Sequence, residues 1–344
     1  MSKGTRIALV GCGQYAVNHL HAWSKLSADG AQLVAVCDAV SKRADAMSRQ
    51  YGVPAFGSME ALCDAVDVDL VDIVAGVSSN PGLVAFAASR GIGVIVQKPV
   101  AADWETALRI KQDVLAADIW FAVHENFRFR RPMRRIRQIL DDGAIGQPRW
   151  GRLSWRSGFD VLAKQPYLAE MSRFALMDVG VHLMDLARFL FGEGDRVYCE
   201  LQSRTSRMRG EDSATVMLHH SNGAVSVVDC TYSARREPDL FPQVLAEIEG
   251  ENGSILLQAG LSLQVTVGNA TWTEHLADGG QVDPLSPAAI ASDAVFAAQA
   301  HMLQRFQECR RADTDLLDNL KSFALVEAAY ASAVKRVPVQ PMDP

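Results

Sequence analysis

The chain has 344 residues, of which 49% are hydrophobic and 22% charged, and its formal net charge is −6. This length suits two domains, and the acidic balance excludes a general attraction to nucleic acid or to an anionic membrane. Six cysteines lie far apart without the spacing of metal ligands, so we predict buried thiols and no metal site. We expect a cytoplasmic protein, because the apolar residues before Gly11 are too few for a signal peptide or a membrane span.

An apolar run at residues 5–10 ends in a glycine-rich stretch, and a helix-like segment follows to about residue 26. This order is typical of a dinucleotide site, because glycines let the backbone approach a pyrophosphate and a helix amino terminus favours its charge. A second apolar run at 32–37 ends in Asp38, where a carboxylate would bind the adenosine ribose. We predict NAD as the cofactor, with NADP as the second option because basic residues follow Asp38. The predicted cofactor contacts here are Gly11, Gly13, Gln14, Tyr15, Ala16, Asp38 and Arg43.

The alternation of strands and helices continues to about residue 123. Helices are predicted at 41–51, from Ser79-Asn80-Pro81 onward and at 103–117, and strands at 70–74, 94–97 and 119–123. The pattern predicts an α/β fold, a doubly wound parallel sheet over residues 1–123. The strand at 94–97 stops at Lys98, which Pro99 keeps out of helical geometry. Because ligands bind beyond the carboxyl ends of parallel strands, we expect Lys98 to face the cofactor or substrate.

The second half predicts an α+β domain over residues 124–344. A helix at 132–141 and a strand at 149–157 come first, and the basic run from Arg128 to Arg137 is interpreted as a solvated helix face. Strand-like runs follow at 197–203, 214–220, 224–232, 243–249, 254–257 and 262–267. Hairpin turns at Asn222-Gly223 and Asn252-Gly253 indicate a mostly antiparallel sheet. Helices at 292–310 and 316–335 close the chain.

Three polar residues of the second half, Asp178, His182 and Asp185, are spaced i, i+4 and i+7, which places them on one face of an α-helix. A histidine beside carboxylates suits a general base, because its ordinary pKa of about 6.5 lies near the working pH. The alternative is a buried histidine held by a neighbouring acid, which is commoner for an isolated pattern of this kind. We interpret Asp185 as a structural acid near the start of the helix, stabilised by the helix dipole.

Motifs along the whole chain resemble the glucose–fructose oxidoreductase and inositol dehydrogenase family. They are Gly11-x-Gly13, Asp38, Lys98-Pro99, Asn126-Phe-Arg128-Phe, Gly143-Ala-Ile-Gly146 and Asp178-Val-Gly-Val-His182-Leu-Met-Asp185. The resemblance implies a catalytic group of Lys98, Asp178 and His182 around the nicotinamide. It also implies a sheet in the second domain that pairs subunits into homodimers or homotetramers.

The chain departs from the family pattern at three places. Gln97 stands where the family usually has glutamate, Ala75-Gly76 replaces Thr-Pro, and Asn80 stands where histidine is common. Gln97, Lys98 and Asn80 are kept as predicted cofactor contacts, although Gln97 removes one negative charge beside Lys98. Four stretches are similar to D-apiose dehydrogenases, a branch of sugar dehydrogenases: Gln97-Lys-Pro, His124-Glu-Asn-Phe-Arg, Gln165-Pro-Tyr and Arg209-Gly-Glu-Asp.

We therefore expect an NAD-dependent dehydrogenase that moves a hydride between a hydroxyl carbon of a sugar or polyol and the nicotinamide. His182 would take the hydroxyl proton, Lys98 would stabilise the alkoxide charge, and Asp178 would hold substrate hydroxyls and orient His182. Asn126 and Tyr167 are predicted substrate contacts, and a loop amide and a half-buried ring fit them equally well. Two alternatives are a non-catalytic dinucleotide-binding regulator and a glycosidase that uses NAD transiently.

Overall fold

The computed structural model describes residues 4–163, 165–277 and 287–344. Contacts group them into two compact units, one of residues up to Asn126 with Val295–Leu320, and the other of Phe127–Ala294 with Lys321–Asp343. The predicted domain boundary after residue 123 remains a prediction. No pattern in the sequence indicates that 295–320 belongs with the first unit.

The first unit alternates strands and helices along the chain. Its elements up to residue 126 are β1 (Thr5–Val10), α1 (Ala16–Lys25), β2 (Ala31–Cys37), α2 (Ser41–Tyr51), β3 (Ala55–Phe56), α3 (Met59–Ala65), β4 (Leu70–Ile73), α4 (Asn80–Ser89), β5 (Gly93–Gln97), α5 (Trp104–Ala117) and β6 (Phe121–His124). Within the described residues these strands form one parallel sheet in the order β3-β2-β1-β4-β5-β6. The predicted doubly wound fold is confirmed, and the sequence pattern misses only β3 and α3, which are too short to show a period.

The sheet of the first unit is buried on both faces, as expected for a parallel sheet with helices on either side. Ile7, Leu70 and Ile95 lie in one core cluster. Met302 and Leu303 belong to the same cluster, and they come from Val295–Leu320, here called the returning segment because the chain returns in it to the first unit. That segment is also fixed by polar contacts, since the hydroxyl of Thr314 donates to the carbonyl of Val123 at 2.8 Å. The returning segment therefore contributes to the core and backbone pairing of the first unit.

The second unit is built on a larger sheet. Its elements are α6 (Arg131–Asp141), β7 (Pro148–Arg156), α7 (Val181–Phe191), β8 (Gly194–Gln202), β9 (Ser213–His220), β10 (Val225–Thr231), β11 (Leu245–Gly250), β12 (Gly253–Gln258), β13 (Ser262–Val267) and β14 (Ala270–His275); α8 (Pro287–Gln307) and α9 (Leu316–Lys335) close the chain. In the described part of the chain the strand order is β14-β13-β12-β11-β7-β10-β9-β8. Only the β7–β10 pair is parallel there, which confirms the predicted mostly antiparallel sheet.

The expectation that all six cysteines are buried is wrong. The thiol of Cys309 is exposed and that of Cys63 is partly exposed, whereas the other four cysteines are buried. Cys309 lies just after α8 at a positive φ of 53°, in a turn that leaves its side chain in solvent. The helix predicted from Ser79-Asn80-Pro81 onward begins at Asn80, and the Asn80 side chain bonds to the loop at Pro99 and Val100. Across the described ranges, no helix is long and apolar enough to cross a membrane.

Candidate cofactor and active site

The glycine turn after β1 has the geometry that a dinucleotide needs. Gly11 has a φ of +100°, and a Cβ there would lie 2.5 Å from the backbone nitrogen of Ala75, so another residue would clash. A Cβ at Gly13 would meet nothing within 4 Å, which leaves open space beside the turn. Ala16, fully buried, begins α1, while Gln14 and Tyr15 are exposed in the turn. The turn therefore offers an open backbone face at a helix amino terminus, which fits a pyrophosphate.

Asp38 lies at the carboxyl end of β2, beside the glycine turn. Its carboxylate accepts hydrogen bonds from the backbone N–H of Cys12 at 2.8 Å and of Val40 at 2.7 Å. Each carboxylate oxygen has a second lone pair, so these bonds orient the group without using its capacity to accept from ribose hydroxyls. Burial, and then the charge of Asp38, raise the pKa of Cys12 to about 12, so this thiol stays neutral. Arg43 is exposed on α2.

The segment after β5 is held from two sides. The side-chain carbonyl of Gln97 accepts from the backbone N–H of Lys98 at 2.7 Å. The amide of Asn80 donates to the carbonyl oxygens of Val100 at 3.0 Å and Pro99 at 3.4 Å. These contacts fix the backbone on either side of Lys98, so the lysine leaves the sheet from a defined position.

A buried polar cluster, which the sequence analysis did not identify, lies behind Gln97. It consists of His19 on α1 and Asp72 on β4, both fully buried, together with Trp23 and Gln299. Asp72 accepts from His19 at 2.8 Å, from Trp23 at 2.7 Å and from Gln299 at 3.2 Å. Burial alone would raise the pKa of Asp72, but its interactions with His19 and the hydrogen bond from Trp23 outweigh burial and lower it. The one sequence signal was an aspartate within an apolar strand.

Asn126 and Tyr15 lie close together in the first unit. The Asn126 side chain is 3% exposed, and its amide donates to the Tyr15 hydroxyl at 3.4 Å. The Tyr15 ring meets the edge of the His19 ring, with the ring centres 5.6 Å apart. A predicted substrate residue and a predicted cofactor residue are thus brought together.

In the second unit, the segment before α7 differs from the predicted helix. Leu176–Gly180 form a π-helical turn, and α7 begins only at Val181. Asp178 therefore lies outside the α-helix that the spacing to His182 and Asp185 assumes, and the wider turn changes the face on which it lies. Turns of this type inside helices occur frequently at functional sites.

Asp178 accepts a short hydrogen bond from the hydroxyl of Tyr232. Burial, followed by the negative charge of Asp178, raises the pKa of Tyr232 well above its ordinary value, so the phenol remains a donor. Tyr167 is 64% exposed, and partial desolvation of its phenol, followed by the charge of the same carboxylate, raises its pKa. The structure thus brings Asp178, Tyr167 and Tyr232 into one neighbourhood, of which the sequence analysis missed Tyr232. The Tyr232 ring also packs against Phe174, with ring centres 4.9 Å apart.

His182 is 5% exposed and is held by stacking. Its ring lies parallel to that of Phe127, with centres 3.8 Å apart, and the guanidinium of Arg130 lies 3.3 Å from the centre of the Phe127 ring. Arg130 also donates to the carbonyl of Pro242 at 2.8 Å. The interpretation of residues 128–137 as a solvated face is therefore wrong at its start, because Arg128 and Arg130 are buried and bound.

Asp185 is fully buried and pairs with Arg128. The guanidinium donates to both carboxylate oxygens, and the Ser322 hydroxyl adds a bond of 2.9 Å. A structural acid was expected here, but Arg128 rather than the helix dipole is its main partner. Among the described residues no group of three or more histidine, cysteine or acidic side chains is placed to hold a metal ion.

We expect replacing Asp185 with Ala to lower the free energy of unfolding by about 3–5 kcal/mol, because it leaves Arg128 buried without its counter-charge. The matched control is Asp141→Ala, whose carboxylate is 65% exposed and pairs with Arg137. That change should cost at most about 1 kcal/mol. Chemical denaturation of both variants measures the free energy of unfolding. Equal losses in the two variants would show that the buried pair stabilises the fold no more than the exposed pair does.

Comparison with known proteins finds a matching family model for each half of the chain. Residues 5–122 match the model of the oxidoreductase family with the NAD-binding Rossmann fold, and residues 133–256 match the GFO/IDH/MocA C-terminal domain. D-apiose dehydrogenase of Paraburkholderia graminis is 40% identical over 95% of this chain and 87% of its own length. D-apiose dehydrogenase of Rhizobium rhizogenes is 39% identical over 95% of this chain and 94% of its own length.

A solved structure agrees with these matches. An oxidoreductase from Agrobacterium radiobacter, in complex with NAD+, L-tartaric acid and magnesium, superposes with a TM-score of 0.94, at 39% identity over 98% of both chains. The predicted family, the predicted cofactor NAD and the prediction of an enzyme are confirmed. The glycine turn and Asp38 remain the predicted cofactor contacts of this chain. The chain belongs to the Gfo/Idh/MocA family of NAD-dependent oxidoreductases.

Proposed function

We propose that this protein oxidises a hydroxyl group of D-apiose, or of a closely similar sugar, with NAD. The observation that carries the proposal is the 39–40% identity to two D-apiose dehydrogenases across 95% of the chain. A match that covers 95% of the chain spans the segments of Lys98, Asn126, Tyr167, Asp178 and His182. These positions carry the polar groups that a polyhydroxyl ligand needs.

The residues of the two units have separate roles in this proposal. Bound NAD supplies the nicotinamide that accepts a hydride from the sugar carbon. His182 accepts the hydroxyl proton at a ring nitrogen, and its stacking on Phe127 fixes the plane of the ring. Lys98 stabilises the negative charge that develops on the sugar oxygen. Asp178, whose carboxylate is held by Tyr232, binds sugar hydroxyls and orients His182.

The proposal is tested by following NADH absorbance with purified protein, NAD and a panel of sugars. The panel contains D-apiose, other aldoses and furanoses, inositols, polyols and glycosides of these sugars. We expect net NADH formation with D-apiose at the highest kcat/KM of the panel. If only a polyol were oxidised, the proposal of a sugar substrate would be rejected. Cleavage of a glycoside without net NADH would identify a glycosidase, and NADH binding without any turnover would identify a regulator.

We expect NAD to exceed NADP in kcat/KM by about 10- to 100-fold, because a 2′-phosphate would be repelled by Asp38 and would remove hydrogen bonds to a charged group. Replacing Asp38 with Ser should reduce this ratio to near one. Asp45→Asn removes a charge from an exposed position on α2 and serves as the matched control, with the ratio unchanged. Equal kcat/KM with both cofactors in the unaltered protein would show that Asp38 does not determine the cofactor preference.

Subunit pairing and location extend the proposal. Met217 on β9 is 50% exposed, and its neighbours across the sheet, Tyr198 and Val227, lie in the same row. An exposed apolar side chain on a strand that is paired on both sides supports a homodimer or homotetramer formed through this face. Light scattering of the purified protein should give the mass of a dimer or tetramer, and Met217→Lys should shift it toward the monomer. We place the protein in the cytoplasm.

A further inference from the structure

The cluster behind Gln97 forms an unbroken path of hydrogen bonds between Asp72 and Lys98. Asp72 Oδ2 lies 2.8 Å from His19 Nδ1, and His19 Nε2 lies 3.2 Å from Gln97 Nε2. Gln97 Oε1 lies 2.7 Å from the backbone nitrogen of Lys98. Because His19 and Asp72 are fully buried, no solvent competes for the bond between them. The path therefore connects the middle of the sheet to the lysine at its edge.

The donors and acceptors along this path can be assigned by elimination. The Lys98 N–H can only donate, so the Gln97 atom beside it must be the carbonyl oxygen. The Gln97 amide nitrogen then faces His19, and because this nitrogen only donates, His19 Nε2 must accept. An accepting Nε2 carries no proton, which places the proton of the neutral ring on Nδ1, where it is donated to Asp72. Every bond in the path thus points toward Asp72.

We propose that His19 and Asp72 are positioning residues that hold Gln97, and through it the backbone of Lys98, with His19 as a neutral ring protonated at Nδ1. The role in catalysis rests on the proposed function, whereas the protonation pattern does not. Aligned hydrogen bonds polarise one another in a buried site, so the path fixes one orientation of the Gln97 amide. Reversing that amide would place two donors against each other at Lys98 and break the path.

Gln97 explains why the ring of His19 is neutral. A glutamate at this position, as is usual in the family, would present an acceptor to His19 Nε2, and the ring would need a second proton to bridge two carboxylates. The groups that face His19 are Asp72 from β4, the ring of His124 from β6 at 4.2 Å between centres, and the ring of Tyr15 at 5.6 Å. Glutamine therefore allows the same path of hydrogen bonds with one proton on the His19 ring, whereas glutamate would require two.

The protonation pattern is tested by nitrogen NMR of protein labelled with ¹⁵N-histidine, with and without Gln97→Glu. The chain has eight histidines, and the His19 signals are assigned by their loss in His19→Phe, or in His19→Gln if the first variant does not fold. We expect one protonated and one unprotonated ring nitrogen in the unaltered protein, with the proton on Nδ1. In Gln97→Glu both nitrogens should be protonated. A proton on Nε2 in the unaltered protein, or an unchanged ring in Gln97→Glu, would overturn the assignment.

The positioning role is tested by a double-mutant cycle. His19→Phe should lower kcat about 10- to 100-fold, as expected when a catalytic group is slightly misplaced. Trp23→Phe is the matched control, since it removes another donor to the same Asp72 oxygen but lies outside the path. It should lower stability while kcat stays within about twofold, since no atom of the path from Asp72 to Lys98 is lost.

The cycle is completed in the Lys98→Met background. There His19→Phe should cause no further loss of kcat, because a residue that acts through Lys98 has nothing left to position. Equal losses with and without Lys98 would show that His19 is merely structural. Full activity of Lys98→Met alone would instead reject the role of Lys98 in the proposed function, and the NMR result would still stand or fall by itself.

Discussion

Replacing Lys98 with Met will lower turnover by about 10²–10³-fold and leave NADH binding intact. Methionine keeps much of the length of the lysine side chain but removes the charge that would stabilise the developing alkoxide. The change leaves the other predicted cofactor contacts Gly11, Gly13 and Asp38 unaltered, since they follow the strands β1 and β2 and not β5. The backbone bond from Lys98 to Gln97 is also independent of the side chain. The effect should therefore appear in kcat rather than in cofactor affinity.

The measurement pairs NADH fluorescence titration with single-turnover hydride transfer. Lys25→Met is the matched control, because Lys25 is exposed at the end of α1. It should match the unaltered protein in both assays. A Lys98→Met protein that binds NADH and reacts at the full rate would remove Lys98 from the chemistry. One that loses NADH binding would restrict the lysine to holding the cofactor.

Replacing His182 with Asn will lower the rate of oxidation by about 10²–10⁴-fold, the usual contribution of a general base. Asparagine retains a hydrogen-bonding group but cannot take the hydroxyl proton. In the unaltered protein we expect the rate of oxidation to rise with pH near neutrality, because a histidine must be neutral to act as a base, and in His182→Asn this rise should disappear together with the rate. The Phe127 ring against which His182 stacks remains in place, so the loss should exceed any change in stability.

His219→Asn provides the matched control for this change. His219 also lies beside a carboxylate, with its Nδ1 2.7 Å from Asp195, but it is on the surface of the second sheet and 36% of its side chain is exposed. Its replacement should leave the pH profile unchanged. If His182→Asn kept the turnover of the unaltered protein, His182 would be a structural histidine, which is the alternative that its burial and stacking also fit.

The fold could be predicted where a local pattern determines it. The glycine turn, Asp38 and the apolar strands β1 and β13 are continuous in sequence, so spacing and periodicity were sufficient. The π-helical turn at Leu176–Gly180 was not predictable in this way, because it depends on which carbonyl each N–H reaches and not on side-chain type. The amide of Asn80 is a second example. Its hydrogen bond to another loop depends on the fold and not on the neighbouring sequence.

The candidate site was less predictable than the fold because its supporting contacts are distant in sequence. Arg128 and Asp185 are 57 residues apart, and His19 and Asp72 are 53 apart. A single sequence shows that such charged or polar residues exist but not which pairs are buried together. Asp72 within the apolar strand β4 was the strongest available signal, because a buried carboxylate needs partners. The identity of those partners follows only from the structure.

The central claim, that a sugar carbon gives its hydride to the nicotinamide, is tested most directly by isotope transfer. The protein is incubated with NAD and D-apiose carrying deuterium on its carbons, and the isolated reduced cofactor is analysed by mass spectrometry. We expect one deuterium per molecule of reduced cofactor and an equal amount of oxidised sugar. Recovery of the deuterium in the sugar, or no reduced cofactor at all, would contradict the claim.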